Sequence, residues 1–341
     1  MQQVNWLLCY LIMPESRSPS TTARIVNAMT VDVEDYFQVS AFEGVVKRSD
    51  WERLPCRVEQ NTDHILELFD GHGVTATFFM LGWVAERYPG LVRRIVAAGH
   101  ELASHGYSHI RVTRQAPQAF SEDVSKTRKL LEDTAGCAVL GYRAASYSIV
   151  NETLWAHDLL QEAGYRYSSS VYPIHHDLYG IPDAPRFSYR HKDGGLLEIP
   201  VTTVSLFRHN LPCGGGGYFR LLPYSVSRWA MRRVNGADRM PCVFYFHPWE
   251  IDPLQPKQDN LPARTRFRHY LNLEKTEGRL KCLLSDFNWG RMDEIFLNSL
   301  DLFHGVMGYG HLQVKSLELI PYELEGGGTG SFVPALGSFI G

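Results

Sequence analysis

The chain has 341 residues and a formal net charge of -3, with 34 Lys and Arg against 37 Asp and Glu. That length suits one α/β barrel of ~250 residues or two smaller domains, and the apolar content is that of an ordinary globular protein with a substantial core. The near-neutral balance, without a basic run, excludes nucleic-acid binding by bulk charge and points to a neutral or small ligand. Six cysteines (Cys9, Cys56, Cys137, Cys213, Cys242 and Cys282) are scattered with no CxxC pair, as expected of reduced thiols in a cytosolic protein.

Val4–Met13 is apolar, but a bilayer span takes ~20 residues, and neither a preceding positive charge nor an A-x-A cleavage site accompanies the run. Residues 14–22 are rich in Ser, Thr and Pro. Residues 1–26 therefore read as a leader and linker outside the fold. A cytoplasmic location is expected, with the periplasm or cell envelope as the alternative.

Ile25–Val33 is β-prone and ends in the acids Asp32, Glu34 and Asp35. Apolar spacing predicts a helix over Glu59–Asp70, and Thr75–Leu81 reads as a strand buried on both faces. A helix over Pro89–Ala98 is capped by Gly99, and a short strand at Glu101–Ala103 leads into His105 and His109. Gln118–Thr134 is helical, Val139–Tyr142 is a strand entering Arg143, and Asn151 is placed to cap a helix reaching Ala163. Strands follow at Arg166–Val171 and Leu196–Pro200, then a helix over Tyr224–Val234 and a strand at Val243–Phe246 entering His247. Repeated strand–helix alternation predicts an α/β fold, a parallel sheet or barrel with right-handed crossovers and outer helices. Beyond Pro253 a helical extension over Arg264–Leu284 is expected outside the barrel. No clear period follows Leu297, so residues 297–341 are read as a tail.

In such folds reactive groups sit at the C-terminal ends of strands, and each polar cluster falls at such an end. His105 and His109, four apart, can reach one ion from a helical turn or from a loop closed by Gly106. A catalytic zinc-type site then needs a third ligand, usually a carboxylate, and an open position. While the strand lasts Asp32 and Glu34 point the same way and Asp35 the other unless the chain turns there; one of these carboxylates could complete the metal site and a second could act as general base toward a metal-bound water. Gly214–Gly217 lacks the Lys-Ser/Thr ending of a phosphate loop. His175-His176-Asp177 has no evident chemistry; both segments are expected to border a groove.

Taken in order, these motifs resemble the NodB-type polysaccharide deacetylases, carbohydrate esterase family 4, and most closely the subfamily linked to exosortase-type exopolysaccharide gene clusters. The resemblance runs from about Asn27 to Phe296. Thr30–Asp35 matches the Thr-Phe-Asp-Asp motif with Asp32 on the base aspartate, and His105–His109 matches the metal-binding His-Ser/Thr-x-x-His. Arg143–Tyr147 corresponds to Arg-x-Pro-x-Tyr/Phe, and Phe244–His247 to the strand ending in Leu-x-His. The chain departs from the pattern at Val33, which replaces the adjacent aspartate, at Ala145 for proline, and at Ser168, where relatives carry an aspartate supporting the arginine or the base.

The resemblance implies a distorted (β/α) barrel and metal-dependent N-deacetylation of a polysaccharide. A divalent ion, zinc first and cobalt or another next, would be held by His105, His109 and either Glu34 or Asp35. Asp32 would act as base, oriented by Arg143, and His247 as acid, with a backbone N–H near Tyr147 as oxyanion donor. Tyr147, Tyr172 and Trp249 would offer flat surfaces to sugar rings. Two alternatives stand beside this reading: hydrolysis of a small amide or cyclic imide, and a non-catalytic sugar-binding protein on the same fold.

Overall fold

A computed structural model describes residues 25–297 other than 177, 178, 193 and 208. The expected leader and tail lie almost wholly outside the described residues.

The chain opens with β1 (Val26–Val33), a long loop, α1 (Val58–Asp70), β2 (Thr77–Met80), α2 (Gly82–Arg87), α3 (Pro89–Ala97) and β3 (Glu101–Ser104). It continues through α4 (Pro117–Ala135), β4 (Gly141–Tyr142), α5 (Ala156–Glu162), β5 (Tyr167–Ser168), β6 (Tyr189–Arg190) and β7 (Leu197–Glu198). A separate hairpin of β8 (Thr203–Leu206) and β9 (His209–Pro212) precedes α6 (Gly216–Leu221), α7 (Tyr224–Arg233) and β10 (Val243–Phe246). Last come α8 (Ala263–Tyr270), α9 (Leu273–Asp286), β11 (Asn288–Gly290) and α10 (Met292–Phe296).

The main sheet runs β10-β1-β2-β3-β4-β5-β7-β6, with β11 also on β1, and is parallel except where β6 meets β7. It curls. Irregular backbone after β7 brings its far edge back to β10: Ile199 N–H donates to Ser168, Val201 N–H to Val171 and Thr202 N–H to Val243. The alternation predicts a parallel sheet or barrel, and the result is the distorted barrel that the resemblance implies. Gly215 lies in that seam at φ +119°, where a Cβ would sit 1.9 Å from the Tyr245 carbonyl oxygen. Close approach to β10 thus explains Gly214, Gly215 and Gly216.

Strand residues bury on both faces. Met29, Val31, Phe78, Met80 and Leu102 pack under the helices, while Ala28, Phe79, Ala103, Tyr167 and Ile199 fill the barrel with Met292 and Phe296 of α10.

Three local expectations differ. Residues 151–163 split into a 3-10 turn at Asn151–Thr153 and α5, and the capping oxygen is Thr153 Oγ1, which accepts from the Val150 N–H. The helical extension breaks between α8 and α9 at Asn272, which takes φ +54°. The β8–β9 hairpin and β11 carry too little alternation to be seen in the sequence.

Candidate active site

Four strand ends converge. Asp32 and Glu34 come from β1, His105 and His109 from the loop after β3, Arg143 from the end of β4, and His247 from the end of β10. The first five are buried, Arg143 completely. The His105–His109 segment is a loop, with Gly106 at φ +73° and His109 at φ +51°. His105 Nδ1–H donates to the Arg143 carbonyl at 2.8 Å, which leaves Nε2 as its free lone pair. Burial lowers His105 to about 4, so it is neutral near pH 7.

One ligand atom each from Glu34, His105 and His109 lies within 4.8 Å of the others. Glu34 Oε2 is 2.9 Å from His109 Nε2, out of line for a hydrogen bond, and it finds no other partner; His109 Nδ1 is also buried and unpartnered. Burial pushes Glu34 up, but the charges of His109 and His247 outweigh it and bring the carboxyl down to about 2. A buried orphan carboxylate oxygen facing two imidazoles fits the three-ligand set of a catalytic divalent-metal site.

Asp35 is not in this cluster. Its Oδ1 accepts from the Tyr36 N–H, and its Oδ2 accepts from Arg57 and Val58, at 2.6 and 2.9 Å. It therefore caps the N-terminus of α1 from outside the helix, satisfying donors that would otherwise be orphaned. The chain turns directly after β1, where Glu34 N–H donates to Asp32 O. Glu34 thus stays on the site and Asp35 is thrown off it.

Arg143 Nη1 donates to Asp32 Oδ1 at 2.5 Å and to Thr30 Oγ1 at 2.8 Å. Its Nε and Nη2 donate to the carbonyl and hydroxyl oxygens of Ser169. Ser169 therefore supplies the support that Ser168 cannot. Glu198 braces this loop in turn, its Oε1 accepting from the Ser170 and Val171 N–H groups and its Oε2 lying 2.9 Å from His157 Nε2.

His247 Nδ1 is 2.6 Å from Glu250 Oε1, and Glu250 Oε2 accepts from Arg220 Nε at 2.6 Å. On the other side Nε2 faces Glu34 Oε1 at 3.4 Å and Asp32 Oδ2 at 3.9 Å. Burial works against its charged form, but Glu34 and Glu250 raise His247 to about 9. Sequence reasoning passed over Glu250 and Arg220, although the His-Pro-Trp-Glu spacing offered Glu250.

The aromatic expectations need correction. Tyr147, Tyr172 and Trp249 are 5%, 0% and 5% exposed, so none offers a free face to a sugar. Tyr147 packs edge-on to Tyr172 and Tyr245. Trp249 lies stacked between His247 and His269, with Nε1 donating to Glu34 Oε1 at 3.4 Å. Trp249 is a wall of the site and an anchor for Glu34. The Tyr147 N–H already donates to Ala144 O at 3.0 Å, so it is not a free oxyanion donor. Ser146 and Tyr147 both take positive φ, +53° and +52°, a strained pair beside Arg143. His176 stacks on Tyr179, while Asp177 lies outside the described residues.

Residues 50–168 match the family described as polysaccharide deacetylase. The chain carries a polysaccharide deacetylase domain. Residues 169–297 match a second family, described as a domain of unknown function, DUF3473. The two matches share part of the site, and Asp32 and Glu34 precede both. The deacetylase stretch holds His105, His109 and Arg143, and the second supplies His247, Glu250, Arg220 and the closing seam of the barrel.

A peptidoglycan-N-acetylglucosamine deacetylase of Bacillus cereus is 35% identical over 96 residues, which is 28% of this chain and 35% of that protein. The matched stretch thus spans about a third of that relative's length. Among solved structures, a protein assigned as a polysaccharide deacetylase from Mycobacterium smegmatis matches with TM-score 0.50 and 19% identity over 86% of this chain and 94% of that one. Puue allantoinase matches with TM-score 0.53 and 17% identity over 91% of this chain and all of the other. These two likenesses establish the fold, a mixed α/β architecture around a curled, mostly parallel sheet.

Proposed function

We propose that the protein is a metal-dependent hydrolase that removes N-acetyl groups from amino-sugar units of a polysaccharide. The observation that carries this reading is the convergence of Glu34, His105 and His109 beside two separately braced groups, Asp32 on Arg143 and His247 on Glu250. Glu34, His105 and His109 would hold a divalent ion, zinc first among candidates. Bound there, such an ion supplies Lewis-acid polarisation and makes hydroxide available near neutral pH.

The remaining steps belong to the chain. Arg143 fixes Asp32 Oδ1, leaving Oδ2 to accept a proton from the attacking water. The amide carbon gains the oxygen and then loses nitrogen as the C–N bond breaks. His247 Nε2 donates a proton to that nitrogen, so an amine leaves and acetate remains. Glu250 holds Nδ1 and so presents Nε2 to the site.

Support for an N-acetylated glycan as substrate comes from the activity of the Bacillus relative, a peptidoglycan-N-acetylglucosamine deacetylase, and from the motif order. The same motif order supports a place in exopolysaccharide biosynthesis or modification. A cytoplasmic location belongs to the proposal and rests on the scattered cysteines. The test is acetate release from N-acetylglucosamine oligomers by the full chain. Release that stops on chelation and returns with zinc supports the proposal; a zinc-loaded, folded protein that releases none overturns it.

A further inference from the structure

Large exposed apolar side chains concentrate in one stretch of the chain. Of the nine among the described residues, five, Phe207, Leu211, Leu221, Val226 and Trp229, lie between the β8–β9 turn and the end of α7. Phe207 is at the hairpin tip and 86% exposed. Leu211, Val226 and Trp229 rim one shallow apolar cavity of about 70 Å³. Exposed apolar groups around a common cavity make this face a candidate interaction site.

The same stretch is basic. Residues 207–239 contain six arginines and one acid, Asp238, in a chain whose net charge is -3. Arg220 lies on α6, Arg228, Arg232 and Arg233 lie on α7 and Arg239 lies just beyond it, while Arg208 is outside the described residues. Val226, Trp229 and Arg233 share a stripe of α7 at spacings of three and four. Arg228 and Arg232 reach Asp286, and Arg220 is buried on Glu250. Arg233 and Arg239 are exposed and have no ion-pair partner among the described residues.

We propose that this face docks on an anionic lipid bilayer surface. Phe207, Leu211 and Trp229 would enter the headgroup boundary while Arg233 and Arg239 meet lipid phosphates. Exposed aromatic and aliphatic groups bordered by arginine have the composition of an interfacial membrane anchor, in which apolar burial and attraction to anionic lipid add. A second copy of the chain fits less well, because an isologous contact would set the arginines against themselves. A protein partner inserting deeply fits less well too, because the cavity has room for about one side chain. The inference stands apart from the deacetylase reading, since none of these residues touches Asp32 or His247.

The experiment is co-sedimentation of the full chain with vesicles of phosphatidylglycerol and phosphatidylethanolamine, and with vesicles of phosphatidylcholine alone. Binding at least about tenfold stronger to the anionic vesicles is expected, falling with added salt. The F207S/W229S and R233A/R239A pairs should each weaken binding about tenfold, with thermal melting and acetate release from soluble oligomers unchanged. Three results would overturn the proposal. The folded chain could ignore anionic vesicles, as a face reserved for an acidic protein would. The variants could bind undiminished, which would assign the binding to another segment such as Val4–Met13. Sedimentation velocity could show a dimer that F207S/W229S dissociates, which would assign the face to a second copy.

Discussion

Arg143 and Asp32, 111 residues apart in sequence, meet with Nη1 2.5 Å from Oδ1 in a fully buried pair. Two strands, β2 and β3, lie between the strands that carry them. A buried pair of this kind contributes little net stability, yet breaking it leaves an uncompensated charge. It is retained because it fixes one oxygen of a carboxylate whose other oxygen faces the site. Replacing Arg143 with Ala should therefore lower stability by about 3 kcal/mol and abolish acetate release. Denaturant unfolding beside the activity assay checks both.

The two neighbouring acids should separate cleanly. Glu34→Gln is expected to lose bound zinc. Asp35→Ala should keep it and lose about 2 kcal/mol of stability, as an unmade helix cap does. Metal analysis of the two purified variants, with their unfolding curves, decides the assignment.

Glu250 should act through His247. Glu250→Gln is expected to cut kcat by roughly a hundredfold or more, the scale of a mispositioned general acid, with zinc content unchanged. If zinc falls along with kcat, Glu250 supports the ligands instead.

What the sequence discloses has physical limits. Strand-end placement and motif order exposed Asp32, His105, His109, Arg143 and His247, because a parallel sheet carries its chemistry at those ends. The alternation along β1 also put Glu34 with Asp32. It left Asp35 open because the role of Asp35 depends on where α1 begins, 23 residues later, and only folding brings those N–H groups to it. Tyr147, Tyr172 and Trp249 read as free surfaces because an aromatic residue next to a motif looks the same whether buried or exposed. Arg220 escaped notice since its partner Glu250 lies 30 residues on, across the seam. The β8–β9 hairpin, which pairs outside the main sheet, has no continuous apolar run like those of β2 and β10 to mark it.

Stability should depend on pH through Glu198. Burial would raise its pKa, but His157 and the hydrogen bonds from Val171 and Ser168 hold it below the usual 4.5. Its stabilising contribution is therefore complete above about pH 4.5 and is lost as pH falls through the lower folded-state value. Glu198→Gln should cost about 3 kcal/mol at pH 7 and much less near pH 3. Chemical denaturation at the two pH values measures the difference.

The division of labour between holding an ion and moving a proton is tested most directly by Asp32→Asn. Zinc content and acetate release from N-acetylglucosamine oligomers are measured on the same preparation, beside the parent chain. One bound zinc per chain with acetate release reduced at least about a thousandfold is the predicted result. Loss of zinc would make Asp32 a ligand, and undiminished release would remove it from the reaction; either outcome contradicts the site described for this fold.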